Sequence, residues 1–451
     1  MTRSQRIAPR YHAVARAAIA AAALVAGWLA VPAAADEGWK LSGELRVRGE
    51  VIDGQFRPNV APDDAALLIR TLVAVEYDAG PVAIGGELID ARSLFEDPAG
   101  SVSTTEVDAV EPLQAYVRVD LPGEAAVTLG RQTLLLGSRR LVSRNNFRNP
   151  INAFTGVAAA LPEGIFADAR LFWLSPVLRL PDDGERVRDN AVVLDRDDNG
   201  TRLFGAFTSR PETLGGTAEL TLLRLAERDS DRTATRDRRL WTLAVRHVRA
   251  PERGRLDWDA EGAAQWGSVA LSTAPGAARV PVRAGFVHAH VGYTLPRAWR
   301  PRVQIAFDYG SGDGRGRAFG RFDTLYGSRG FEFGPTSYYG ALTRANLVSP
   351  ELRAEVAPDE RWDAMAALRP LWLARAGDAF AQTGVRDAAG RAGRWAGVQA
   401  EARARWWAVP EHVRLTAGAV YLAKGRFLED AANAPATGDT RYGYLEMTVT
   451  P

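Results

Sequence analysis

Residues 39–51 read Trp39-Lys40-Leu41-Ser42-Gly43-Glu44-Leu45-Arg46-Val47-Arg48-Gly49-Glu50-Val51 and alternate without interruption. The odd positions are apolar or small, and the even positions are polar and almost all charged. Side chains of a β-strand point alternately to its two faces, so this segment predicts a strand with one apolar and one wet face. It is longer than the usual strand of a soluble sandwich and long enough to cross a membrane at a tilt.

The same alternation returns along the rest of the chain and predicts an all-β protein of 18 strands. Residues 302–310 illustrate it, because Val303, Ile305, Phe307 and Tyr309 alternate with more polar neighbours. The predicted strands are 39–52, 64–78, 82–92, 110–121, 125–136, 151–161, 165–175, 201–209, 216–227, 239–250, 255–270, 280–294, 302–310, 343–357, 361–376, 394–408, 412–424 and 440–450.

The connections between these strands alternate in length. Eight are short and contain proline, which presets a turn and does not fit a paired strand. Nine are long and rich in Gly, Asp, Arg and Asn. Short turns at one end and long loops at the other are typical of a transmembrane antiparallel β-barrel in a bacterial outer membrane, with 16 strands as the alternative count and a soluble β-rich protein as the alternative class. The short turns are predicted at 78–81, 121–124, 161–164, 210–212, 251–254, 296–301, 358–360 and 410–411.

The N-terminus has the pattern of a secretory signal. Four arginines precede an apolar stretch from Ala17 to Val31, and small residues follow at 33–35. This pattern predicts a signal peptide over 1–35 and a barrel domain over 36–451, since the apolar stretch is short for a membrane anchor. Removing the four arginines leaves 52 basic against 54 acidic residues, so the basic isoelectric point of the full chain gives no reason to expect nucleic-acid binding.

Aromatic residues near predicted strand ends fit the interfacial girdles of such a barrel. The five that we expect on the apolar face are Trp39, Tyr77, Trp173, Trp406 and Tyr421.

Several segments, in order along most of the mature chain, resemble the alginate export family of outer-membrane proteins. The resemblance implies a monomeric 18-stranded barrel that passes an anionic polysaccharide outward. The chain departs from bacterial barrels at its end, Thr448-Val449-Thr450-Pro451, which lacks the usual terminal aromatic residue and leaves the register of the last strand open. The similar segments are 111–117, 128–132, 137–145, 308–313, 322–326, 346–347 and 421–427.

The predicted lumen face is rich in arginine, whose planar fork pairs with carboxylates and keeps its charge. Acidic and basic residues are equally numerous on this face, so we expect most of them to pair across strands. Segment 137–149 carries four arginines and no acid, and an inward position would make it an electropositive constriction. Arg131 falls on the apolar face of an unbroken strand, which predicts a bulge or strand end near Gly130. The candidate solute-path residues are Arg46, Arg48, Arg70, Arg118, Arg131, Arg139, Arg140, Arg144, Arg302, Arg403 and Arg405.

The sequence offers no pattern typical of an enzyme. His288 and His290 share a strand face without an evident third metal ligand, and Ser311 lies beside Asp313 without a neighbouring histidine. We therefore expect no catalytic residue, no metal and no cofactor. The expected partners are an anionic polysaccharide or small anionic solutes, outer-membrane lipid and lipopolysaccharide, and periplasmic export partners. A porin for small organic anions and a plugged structural barrel are the alternatives.

Overall fold

The computed structural model describes residues 38–162, 167–230, 233–314 and 316–451. The predicted signal peptide, and Arg315 in the long loop after residue 310, lie outside the described residues.

The described chain consists of β-strands and two short helices, α1 (Gly184–Arg188) and α2 (Arg426–Asp430). Neither helix has the length or apolarity of a bilayer-spanning helix, and the described residues contain no other candidate. The strands are β1 (Trp39–Asp53), β2 (Asp63–Asp78), β3 (Val82–Leu94), β4 (Asp108–Asp120), β5 (Ala126–Gln132), β6 (Phe154–Leu161), β7 (Ala167–Leu178), β8 (Arg196–Asp197), β9 (Thr201–Thr213), β10 (Gly216–Glu227), β11 (Arg239–Arg249), β12 (Leu256–Ala270), β13 (Arg279–Thr294), β14 (Arg302–Gly310), β15 (Leu347–Val356), β16 (Trp362–Trp372), β17 (Trp395–Val409), β18 (Val413–Lys424) and β19 (Thr440–Val449).

The strands close into one antiparallel barrel. Each wall strand pairs with the next along the chain, and β19 returns to pair with β1. The two-residue strand β8 pairs only with the end of β7, and β9 takes the place beside β7 in the wall. The wall therefore has 18 strands, as predicted. Closure satisfies the backbone groups of every strand edge, which a lipid environment requires.

The last strand is paired on both sides despite its unusual end. Val449 lies opposite Leu45 of β1 and opposite Val413 of β18. The missing terminal aromatic residue therefore leaves the register of β19 intact.

One predicted turn lies elsewhere. Arg210-Pro211-Glu212 belongs to β9, and the chain reverses at Leu214 and Gly215, which have φ of 49° and 77°. The pairing of β9 with β10 shifts between Gly216 and Ala218, so Pro211 occupies an irregular part of the ladder. A bulge near a strand end tolerates proline because the missing N–H leaves no ladder bond unmade there.

The outer face of the wall is apolar and its inner face is charged, which is the reverse of a soluble protein. Ile305 and Leu445 are 67% and 68% exposed on the outer face, whereas Arg48 is fully buried on the inner face. The five predicted girdle aromatics are all exposed, and Trp39 packs against Tyr77 with ring centroids 4.8 Å apart. An apolar exterior around a charged interior is what a bilayer selects in a barrel wall.

Candidate functional site: the loops inside the lumen

The loop between β5 and β6, residues 133–153, turns into the barrel, and we call it the inner loop. Wall arginines hold it by its backbone. Arg46 donates to the carbonyl oxygens of Asn146 and Arg148 at 2.7 Å, and Arg48 donates to that of Phe147 at 2.8 Å. A guanidinium has five N–H donors, so a few wall arginines can satisfy an irregular segment that lacks strand partners.

These anchors include three of the residues predicted for the solute path. Arg46, Arg48 and Arg70 are 3%, 0% and 2% exposed, and Arg70 also donates to the carbonyl of Arg148 at 2.9 Å. They face the lumen, as their parity predicted, but they position the inner loop and present no free surface to a solute. The odd or even position of a residue along its strand predicts whether its side chain faces the lumen or the lipid. It does not predict which loop covers that side chain.

Arg140 fastens the tip of the inner loop to the opposite wall. Its guanidinium contacts Glu261 at 2.6 Å, Asp259 at 3.0 Å and Glu332, and the residue is 2% exposed. Burial favours the neutral form of this side chain, but the three carboxylates outweigh that effect and raise the pKa of Arg140 well above its usual value. Arg140 is therefore fully compensated and offers no free donor to a solute.

Glu332 belongs to a second loop, residues 311–346, that also enters the lumen. Burial favours its neutral form, but the guanidiniums of Arg140 and Arg344 hold the pKa of the Glu332 carboxyl well below its usual range. This ionised glutamate joins the two loops. Sequence analysis missed it, because Glu332 lies in a loop without periodicity and 192 positions from Arg140.

A third loop, residues 373–394, packs on the second. Arg321 binds Asp378 at 2.8 Å and the carbonyl oxygen of Ala379 at 2.7 Å. Between these loops and the wall lies an apolar cluster with fully buried aromatic rings. The cluster fixes both loops by hydrophobic burial rather than by strand pairing. Its largest members are Phe56, Phe333, Tyr338, Tyr339, Phe380 and Phe427.

The other predicted path residues on the wall are mostly paired. Arg118 binds Asp120 at 3.1 Å, and Arg405 binds Asp363 at 2.9 Å. Arg302 is 7% exposed and bridges Asp257 and Glu355, so it is also a buried structural contact. The expectation that most wall charges pair is confirmed. Arg403 is the exception among the predicted path residues of the wall, since it forms no ion pair with any residue in the described ranges.

Arg131 is bound where the strand ends. Gly130 has φ of 116°, and β5 stops two residues later at Gln132. Arg131 contacts the carboxylate of Glu111 and the carbonyl oxygen of Pro112 at 3.0 Å. The strand end predicted near Gly130 is confirmed, and Arg131 acts as a local brace rather than as a free cation.

The inner loop keeps two arginines without a carboxylate partner. Arg144 binds Glu87 and the Thr133 hydroxyl, but Arg139 and Arg148 form no ion pair within the described part of the chain. Arg139 is exposed, and its guanidinium carbon lies 4.9 Å from the ring centroid of Phe331. Since residues 133–153 contain no acid, the charge that this loop leaves uncompensated is positive.

The family of this protein is shown by a match that covers most of the barrel sequence. Residues 39–441 match the family model described as alginate export. The chain belongs to the alginate export family. Its expected localisation and class are therefore confirmed: it is an outer-membrane β-barrel of the porin type and serves as a passive pore. No curated protein sequence matches it.

Solved structures with the same fold are outer-membrane proteins of low sequence identity. Pseudomonas aeruginosa OccK11 is 13% identical with a TM-score of 0.58, and the match covers 92% of this chain and 97% of that one. Acinetobacter baumannii OccAB1 is 12% identical with a TM-score of 0.59, and the match covers 93% of this chain and 99% of that one. Pseudomonas aeruginosa OpdK, solved with vanillate, is 12% identical with a TM-score of 0.57, and the match covers 91% of this chain and 98% of that one. These likenesses concern the fold.

The histidine pair of this family member is part of the wall network. His288 Nδ1 lies 2.8 Å from Asp308, and His288 Nε2 lies 3.2 Å from His290 Nδ1. Asp259 lies close enough to both rings to complete a three-ligand group, but it already pairs with Arg140 and Arg246. Two guanidiniums on that carboxylate oppose a cation, so the geometry favours a hydrogen-bonded wall cluster.

Proposed function

We propose that this barrel conducts anionic solutes across the outer membrane, with an alginate-like polyuronate as its first candidate. The observation that carries the proposal is the inner loop: a segment with four arginines and no acid is held inside the lumen, and Arg139 and Arg148 form no ion pair with the residues described. A fixed positive charge in a narrow low-dielectric passage concentrates anions and repels cations.

Arg139 and Phe331 together suit a charged sugar. The guanidinium can pair with a carboxylate in a bidentate manner, and the neighbouring ring offers an apolar surface to the sugar face. The contact is exposed and single, so it binds weakly. Weak contacts are what a conduit needs, because the solute must leave as readily as it enters.

A porin for small organic anions is the second candidate. It is favoured by the packing of three loops in the lumen, which narrows the passage through the barrel. The structural likeness to OpdK, which was solved with the small carboxylate vanillate, agrees with that candidate.

The decisive measurement is the reversal potential of the purified barrel in a planar bilayer under a salt gradient. We expect anion preference, and a reduced preference in Arg139→Gln because the exposed positive charge of the constriction is lost. Arg426→Gln is the matched control, since that arginine is exposed on helix α2 and pairs with Asp430 of its own helix.

Adding a polyuronate or vanillate to the same bilayer assay distinguishes the two candidate functions. Block by a polyuronate added to one side supports the polysaccharide conduit, whereas block by vanillate alone supports the small-anion porin. Cation preference in the unmodified barrel would contradict both.

We also propose that the outer face contacts lipopolysaccharide. Arg202, Arg224 and Arg239 lie on the lipid side of three adjacent strands at their loop ends, and the Arg224 guanidinium carbon is 5.1 Å from the Trp241 ring centroid. Below them an apolar groove of about 460 Å³ includes Phe204. Cations above an apolar groove fit a phosphorylated, acylated lipid.

In Arg224→Gln/Arg239→Gln, less lipopolysaccharide should copurify per barrel than in Arg426→Gln, because two phosphate partners are gone. Equal amounts in both would refute this contact.

At the opposite rim, Leu214 and Trp299 are 88% and 62% exposed on short turns. We propose that this rim meets a periplasmic export partner and that the barrel acts as a monomer. Cross-linking from position 299 in cells tests the first point, and the mass of the detergent-solubilised barrel tests the second.

A further inference from the structure

The inner loop has a second face, away from Arg139, that borders a cavity of about 560 Å³. The cavity lies between the inner loop, the end of β7, and residues of four other connections, namely Thr104, Leu180, Thr233 and Tyr326. Three arginines line it: Arg148, Arg179 and Arg196. Its volume is within the range of small-molecule binding sites.

The arginines of this cavity are not neutralised by ion pairs. Arg148, Arg179 and Arg196 form none with the residues that the structure describes, and Asp182, the acid among the lining residues, is exposed. The Nε atoms of Arg148 and Arg179 are buried without a hydrogen-bond partner. Buried donors normally have partners, so two vacant ones on neighbouring cations indicate a site for an acceptor.

The mutual repulsion of these cations is visible in Arg148. Burial and the neighbouring charge of Arg179 lower the pKa of Arg148 to about 10. Behind Arg179, burial and the neighbouring Asp108 raise the pKa of Asp195 to about 8. Burial therefore favours the neutral form of this carboxyl beside Arg179. An anion in the cavity would offset the repulsion between Arg148 and Arg179.

The two central arginines are held in place before any ligand arrives. Arg179 donates to the Asn152 side-chain oxygen at 2.6 Å, and the Asn152 amide nitrogen donates to the carbonyl oxygens of Ser143 and Tyr326 at 2.9 and 3.2 Å. The Arg148 backbone is fixed by the wall anchors Arg46 and Arg70. Such preorganisation reduces the entropy lost when a ligand binds.

We propose that this cavity is a carboxylate-binding subsite that takes one uronate unit on the loop side of the constriction. The inference rests on the proposed function and makes it more specific. Paired guanidiniums supply the forked donors for the carboxylate, while Tyr326 and the apolar part of the lining supply a wall for the sugar ring. A free small carboxylate presents the same anionic group, so the test includes one.

The test is isothermal titration of the detergent-purified barrel with a tetrameric oligouronate, with vanillate and with the neutral maltotetraose. We expect the oligouronate to bind and the neutral sugar not to bind. In Arg148→Gln/Arg179→Gln the affinity should fall by roughly tenfold or more, because each lost partner is a charged hydrogen-bond donor. Arg186→Gln is the matched control, since Arg186 lies on helix α1 of the same loop 179–200 and pairs with Asp183 outside the cavity lining.

A second variant protects the test against misfolding. Arg148→Lys/Arg179→Lys keeps both positive charges and long side chains but removes the forked donors, so it should weaken oligouronate binding while the charge of the lumen stays the same. Unchanged affinity in both variants, with anion preference intact, would overturn the subsite and leave the proposed function standing. Absence of binding in an anion-selective barrel would also overturn it, and tighter binding of vanillate than of the oligouronate would assign the cavity to small carboxylates. A barrel without anion preference would refute the proposed function itself.

Discussion

Arg140→Gln is expected to raise the single-channel conductance and to lower the temperature at which the barrel unfolds. The substitution removes a cation that contacts Asp259, Glu261 and Glu332 together. Asp259 and Glu332 would keep Arg246 and Arg344 as partners, but Glu261 would lose its ion pair, and breaking a buried ion pair in this way costs about 3–5 kcal/mol. The tip of the inner loop would leave the wall, and the lumen would widen.

The measurements are conductance in planar bilayers and the temperature at which the folded gel band disappears. Arg139→Gln is the internal control. It removes a neighbouring positive charge of the same loop, and Arg139 forms no ion pair with the described residues. Equal conductance and equal unfolding temperature in the two variants would show that Arg140 does not hold the loop.

Replacing residues 137–149 by a short Gly-Ser linker should produce the largest change in ion selectivity. The replacement removes Arg139, Arg140, Arg144 and Arg148 and exposes wall carboxylates such as Glu87 that these arginines bind. The lumen therefore loses four positive charges and gains unpaired negative ones, so the reversal potential should move strongly towards cation preference. Conductance should rise severalfold because the narrowest segment is gone.

Loop 271–278 provides the control for that deletion, since it is short, largely exposed and distant in sequence from the lumen network. Shortening it by the same procedure should leave selectivity unchanged. If the inner-loop deletion retained the anion preference of the full barrel, the positive field would have to arise from the wall.

The wall could be predicted from the sequence because each of its strands carries its own signal. Period-two alternation in 39–51 and 302–310 specifies which face meets lipid, and the pairing of every strand with its chain neighbour follows from the short turns. The irregular backbone near Gly130 could also be predicted from the sequence, because Arg131 would otherwise face the membrane. The turn predicted at 210–212 is wrong, because Pro211 lies in a bulge of β9 and not in a turn.

The lumen could be predicted only in part, for a physical reason. Alternation places Arg48 and Arg70 inside the barrel, but whether an inward side chain meets water or a folded loop depends on contacts between distant segments. Arg140 and Glu332 illustrate this, because neither lies in a periodic stretch and their attraction appears only when two loops meet in three dimensions. Composition still identified the inner loop, since a run of arginines without acids needs distant partners.

The apolar cluster lies between two parts of the chain with different roles: the wall spans the membrane, and the loops fill the lumen. The wall is held by hydrogen bonds that run around its circumference, and its strand pairing is complete without the lumen loops. The interior can therefore diverge while the cylinder stays the same. In an evolving lineage, replacement of the loops alone would be enough to retune the cargo, and the membrane-facing surface would not have to be rebuilt.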